Sequence, residues 1–117
     1  MINTVTIGGN LGADPEVKTA SSGRDVVRLR LANNEFYKLN GESQKKTHWV
    51  NIVCFNGVAE ACKRLKKGSR VAIQGSLNYN EWRDSDGNSH SRLEVKAQNV
   101  MFMTPTPEVD TTCETPV

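Results

Sequence analysis

Apolar side chains fall at every second position in four separate runs of this 117-residue chain, and that period is the strongest constraint on its fold. Val27, Leu29 and Leu31 alternate with Val26, Arg28, Arg30 and Ala32, and Val50, Ile52 and Cys54 with Trp49, Asn51, Val53 and Phe55. From Arg70 to Tyr79, Val71, Ile73, Leu77 and Tyr79 alternate with Ala72, Gln74, Ser76 and Asn78. Residues two apart share one face of a strand, so the first set of each run is expected inside and the second outside. The fourth run, Arg92 to Met103, changes parity between Leu93, Val95, Ala97 and Val100, Phe102, which requires a bulge near Gln98-Asn99. Ile2, Val5 and Ile7 among threonines open the chain as a further strand.

One segment breaks the period. Val58, Cys62 and Leu65 repeat at helical spacing, which predicts a helix over Val58 to Lys67 with Asn56 as its cap, Glu60 in the first turn, Lys66-Lys67 in the last and Gly68 just beyond. Gly8, Gly9 and Gly12 suggest a bulge or bend, Asp14-Pro15 a turn, and Thr19 to Gly23 a loop. Lys38 to Lys46 is expected as a long loop, and Asp84 to Asn88, with its Asp-Gly step, as a hairpin turn. The order is three strands, one helix, two strands. It predicts an all-β, five-stranded barrel of the OB type in residues 1–103, with one short helix between strands three and four. Residues 104–117, rich in Thr, Pro and acids, have nothing to bury and are expected to form a disordered tail.

The formal net charge is only +2, but its distribution is uneven. Glu108, Asp110 and Glu114 lie beyond Met103, so the first 103 residues hold 15 basic and 10 acidic side chains. A mildly basic body favours a polyanionic partner. Cys54, Cys62 and Cys113 show neither CxxC spacing nor paired histidines, which argues against a disulfide framework or a zinc site and for small core residues in a reducing compartment. No run approaches the ~20 apolar residues of a membrane span, and the first residues do not read as a signal or transit peptide. The expectation is a soluble, cytoplasmic protein without a cofactor.

Catalytic patterns are missing. His48 and His90 have no carboxylate at a spacing that pairs them as base and orienter, and Asp84 and Asp86 flank a turn where Asp serves the backbone. The Gly-Gly-Asn-Leu-Gly run lacks the lysine and following helix of a phosphate loop. What remains is aromatic rings interleaved with cations: Phe36 or Tyr37, Trp49, Phe55 and Trp82, beside Arg28, Arg30, Lys38, Lys45, Lys46, Arg83 and Arg92. Single-stranded nucleic acid requires both, since every base has a face to stack and every nucleotide a phosphate to neutralise.

Gly9-Asn10-Leu11-Gly12 with Asp14-Pro15-Glu16-Val17, then Leu31-Ala32, Thr47-His48-Trp49, Phe55 with Ala59-Glu60, Lys67-Gly68-Ser69 and Trp82 to Gly87 resemble the bacterial single-stranded DNA-binding protein family. The resemblance spans nearly all of residues 1–103 and implies an OB barrel, a homotetramer and sequence-tolerant single-stranded DNA binding in replication, recombination and repair. It implies stacking on Tyr37, Trp49, Phe55 and Trp82, whereas strand parity extended from Arg28 and Arg30 points Phe36 outward instead. Phosphate contacts are expected from Arg28, Arg30, Lys38, Lys45, Lys46, Lys67, Arg83 and Arg92.

Three departures carry expectations of their own. Asn78, Asn80 and Glu81 stand where the family tends to carry Arg or Lys, which implies a weaker electrostatic share on that hairpin. Val50 replaces a polar residue that helps subunit contacts in many members. The family's acidic Ile-Pro-Phe ending, which docks replication and repair proteins, survives only as Glu114-Thr115-Pro116-Val117, implying altered recruitment. The alternative readings are an OB-fold replication-restart accessory protein that binds single-stranded DNA and a protein partner, and an OB-type nuclease.

Overall fold

A computed structural model describes residues 1–103. The expected tail, with Cys113, lies outside the described residues. Six strands and one helix follow in the order β1 (Val5–Leu11), β2 (Glu16–Thr19), β3 (Asp25–Leu39), β4 (Glu42–Phe55), α1 (Asn56–Cys62), β5 (Arg70–Arg83) and β6 (Ser89–Phe102). The sheet runs β1-β5-β6-β4-β3-β2, and a further pairing of β1 with β3 closes five of the strands on themselves and leaves β2 at the edge. Closure is made by Asn10 opposite Ala32 and Leu11 opposite Leu31. The result is the expected five-stranded barrel of β1, β3, β4, β5 and β6, with α1 between its third and fourth strands.

Closure depends on Gly9. A Cβ there would lie 2.2 Å from the Ala32 carbonyl oxygen, so a side chain would hold the two strands apart. The bulge or bend expected at the glycines takes a milder form. β1 pairs with β5 in continuous register from Val5 to Asn10 and then passes to β3.

The alternating residues fill the barrel as expected. Val27, Leu29, Leu31, Ile52, Cys54, Val71, Ile73, Val95 and Ala97 form one buried cluster, and Ala59 and Cys62 of α1 close its end. The Cys54 thiol donates to Cys62 Sγ at 3.8 Å; that hydrogen bond and burial push the Cys54 pKa up, and both side chains are fully buried in the core. The required bulge is present, since Gln74 faces Asn99 and Gly75 faces Ala97, leaving Gln98 unpaired.

Four expectations are corrected. Lys38 to Lys46 is not a loop: β3 and β4 run on as a long hairpin to Asn40-Gly41, where φ of 53° and 82° supply the two left-handed residues of a tight turn. The helix stops at Cys62, and its N-cap position is Phe55, without a side-chain cap bond. Lys66 to Ser69 instead form a turn held by Gly68 N–H to the Leu11 carbonyl and by Lys67 N–H to the Asp14 carboxylate. Glu16–Thr19 pairs with Arg28 to Asp25 as an unanticipated strand on the outside of the barrel. Leu77, Tyr79 and Leu93 have the inward parity but lie exposed, because the β5–β6 hairpin extends past the barrel.

Candidate nucleic-acid interface

The two long hairpins meet where β4 and β6 run parallel, with Ile52 opposite Val95 and Val53 opposite Lys96. That short contact makes their outer faces one surface. Counting alternately from Val53, β4 contributes Trp49, Asn51 and Phe55; from Lys96, β6 contributes Glu94, Arg92 and His90. Arg28, Arg30, Phe36, Lys38 and Lys45 join from the β3–β4 hairpin, and Trp82 from β5, opposite His90.

Three rings on this surface each carry a cation. The Arg30 guanidinium lies 4.9 Å from the centre of the Trp49 ring, Arg92 4.9 Å from Trp82, and the Lys96 ammonium 5.5 Å from Phe55. Trp49 is 50% exposed and Trp82 38%, so both retain accessible ring surface. Gly12 makes room for Trp49, since a Cβ at residue 12 would stand 2.4 Å from Trp49 Cζ3. Arg28, Arg30, Asn51 and Arg92 of this surface line a hollow of about 220 Å³ together with Asp14 and Glu16.

The structure does not gather every residue singled out above. The β3–β4 ladder is unbroken from Val26–Phe55 to Leu39–Glu42, so Phe36 shares the face of Trp49 while Tyr37 and Lys46 point to the opposite one. Phe36 is also the more exposed, at 73% against 44%. Arg83 lies on the face away from Trp82, and Lys67 sits in the turn after α1. Arg28 is on the ring-bearing face but is engaged: its Nη1 donates to Glu94 Oε2 at 2.6 Å, while Asn78 Nδ2 reaches Glu94 Oε1 at 3.4 Å.

Alternation had placed Glu94 and Val53 on the outer side, and both are on that side yet buried. Val53 lies between Arg28 and Lys96 in the ladder, two residues whose long stems can screen a neighbour on the same face. Glu94 is held by Asn78 of the neighbouring β5 and by Arg28 of β3, the latter 66 residues away in sequence. No local pattern signals either. Lys96 and His90 were likewise missed as ring partners; cross-strand pairing alone reveals them.

Residues 2–103 match the Single-strand binding protein family. The chain belongs to that family. A relative from Rhizobium meliloti (strain 1021), a single-stranded DNA-binding protein, is 37% identical over 101 residues, covering 83% of this chain and 58% of its own length. The chain therefore spans a little over half the length of that relative. Among solved structures, "Plasmodium falciparum SSB complex with ssDNA" superposes with a TM-score of 0.77 at 29% identity, covering 88% of this chain and 96% of that one. Both the family match and the superposition are consistent with the OB barrel.

Proposed function

We propose that this chain is a non-enzymatic, sequence-tolerant single-stranded DNA-binding protein acting in replication, recombination and repair. The observation that carries the reading is the single surface on which Trp49, Phe55 and Trp82 each lie beside a cation. Bases stack on the rings at ~1–3 kcal/mol each, and Arg30, Arg92, Lys96, Lys38 and Lys45 neutralise phosphates. Phe36, not Tyr37, is the fourth ring, because the unbroken hairpin register turns it to that surface. Arg28 acts through Glu94, shaping the hollow more than it neutralises DNA.

Self-association into a homotetramer belongs to the same reading. Val5, Ile7, Val50, Leu77 and Leu93 line a cleft of about 320 Å³, and Tyr79 lies exposed beside Leu77 on β5, a concentration of apolar surface suited to burial against another copy. Val50 contributes an apolar wall there. The free, buried thiols of Cys54 and Cys62 fit a reducing, cytoplasmic setting at the nucleoid.

Anisotropy of a labelled oligo(dT), set against a duplex of equal length across a salt series, tests this function. Preference for the single strand, with log K falling by ~0.7 per phosphate neutralised against log salt, supports it. Equal affinity for the duplex, or no binding at low salt, refutes it.

A further inference from the structure

Trp82 is the penultimate residue of β5, near the end of a hairpin that projects beyond the barrel, yet its ring is held from several sides. His90, directly opposite on β6, stacks on it with ring centroids 5.5 Å apart and planes 21° from parallel. Arg92, two residues further along β6, covers the ring at 4.9 Å. Against the expectation that neither histidine pairs with a carboxylate, His48 Nε2 lies 2.9 Å from Glu35 Oε1 and His90 Nε2 2.7 Å from Asp84 Oδ2, which fixes the His90 ring. The other oxygen, Asp84 Oδ1, accepts the backbone N–H groups of Asp86 at 3.0 Å and Asn88 at 2.9 Å. The backbone of the turn is closed by Asp84 N–H to the Asn88 carbonyl and Gly87 N–H to the Asp84 carbonyl, both at 3.0 Å.

We infer that His90, anchored by Asp84, is a positioning residue that presets the Trp82 ring for base stacking. The inference rests on the proposed single-stranded DNA binding and deepens it. A ring free to rotate at a hairpin end would lose that freedom on binding and give back part of the stacking energy; a ring already packed does not. The contacts form a chain from the turn backbone through Asp84 and His90 to Trp82, so the turn sequence reaches the DNA through one indole. Both carboxylate oxygens of Asp84 are used within the hairpin, which keeps the carboxyl below its ordinary pKa, chiefly through His90. Glu81, Arg83 and Ser89 line the adjoining hollow with Trp82 and His90.

A double-mutant cycle tests the assignment. His90→Ala is expected to weaken oligo(dT) binding about threefold to tenfold, and Asp84→Asn by less. In a Trp82→Ala background neither substitution should cost anything further. His90→Phe, which restores a ring opposite Trp82, should recover most of the loss. In a Trp49→Phe protein, where Trp82 is the single tryptophan, His90→Ala should also alter the emission of the free protein, and thermal unfolding should move by no more than a few degrees. Wild-type affinity in His90→Ala, or losses that add in the Trp82→Ala background, overturns the inference while leaving the proposed function intact. Wild-type affinity of Trp82→Ala itself, in a protein that still binds oligo(dT), removes Trp82 from the platform and the inference with it.

Discussion

Arg30 and Trp49 occupy adjacent strands of one hairpin, and the guanidinium of the first lies 4.9 Å from the ring centre of the second. In the proposed function, a base stacking on that indole face meets the cation already there, and the phosphate that follows gives the cation a new partner. Arg30→Gln is therefore expected to lower oligo(dT) affinity about threefold to tenfold at low salt and to reduce the salt slope by ~0.7. Its effect on folding should stay below ~1 kcal/mol, the scale of an exposed cation–ring contact. Salt-titrated affinity and thermal unfolding measure the two effects separately.

The β3–β4 hairpin makes a sharper distinction. Phe36 stands opposite Lys45 on the face of Trp49, and Tyr37 opposite Gln44 on the other. Phe36→Ala should weaken oligo(dT) binding about fivefold to thirtyfold, a loss of ~1–2 kcal/mol. Tyr37→Ala should leave the affinity within about twofold of wild type. Equilibrium titration of the two variants side by side decides which ring belongs to the platform.

Glu94 sets the support beneath that platform. Its side chain is 2% exposed and its carboxylate is held by Arg28 and Asn78. Arg28→Ala strands a buried carboxylate, with an expected loss of ~3 kcal/mol of folding stability, the cost of removing one partner of a buried pair. The double substitution Arg28→Met with Glu94→Leu removes both charges and should be less destabilising than Arg28→Ala alone. Denaturant unfolding of the variants reads the difference directly.

Acid should loosen the β5–β6 hairpin turn. The Asp84 carboxyl is held below the ordinary 3.8 by the His90 bond first and then by the backbone amides of Asn88 and Asp86. A group whose folded pKa is depressed stabilises above its unfolded value and loses that contribution as pH falls through the folded one. Asp84→Asn should therefore flatten the melting temperature against pH below about pH 4, compared with the wild type. A parallel acid slope for both proteins would contradict the carboxylate's role.

Period-two alternation was enough to find the barrel, because Val27, Leu29, Leu31, Ile52, Cys54, Val71 and Ile73 obey it and are all buried. It was not enough to find where strands outlast the barrel. Leu77, Tyr79 and Leu93 continue the inward pattern into solvent, since alternation reports a face and not what covers it. The hairpin turn at Asn40-Gly41 was legible in principle, as an Asn-Gly step is a strong two-residue turn signal, but the polar run around it reads equally as a loop. The rings at Trp49, Phe55 and Trp82 stood out from sequence because large aromatics on an outward parity need a partner. Their cations did not all stand out. Lys96 meets Phe55 across a parallel pairing of only two residues, and Glu94 meets Arg28 across 66 residues of chain, contacts that only closure of the barrel creates.

The central claim is that single strands are held by stacking on Trp49 and Trp82. The most direct measurement is a stoichiometric titration of tryptophan emission with oligo(dT) at low salt, in the wild type and in Trp49→Phe and Trp82→Phe. Each single-tryptophan protein should be quenched on binding, and Trp49→Ala and Trp82→Ala should each lose about tenfold in affinity with the fold intact. Binding of oligo(dT) with both indoles unquenched, and wild-type affinity in both alanine variants, would contradict it.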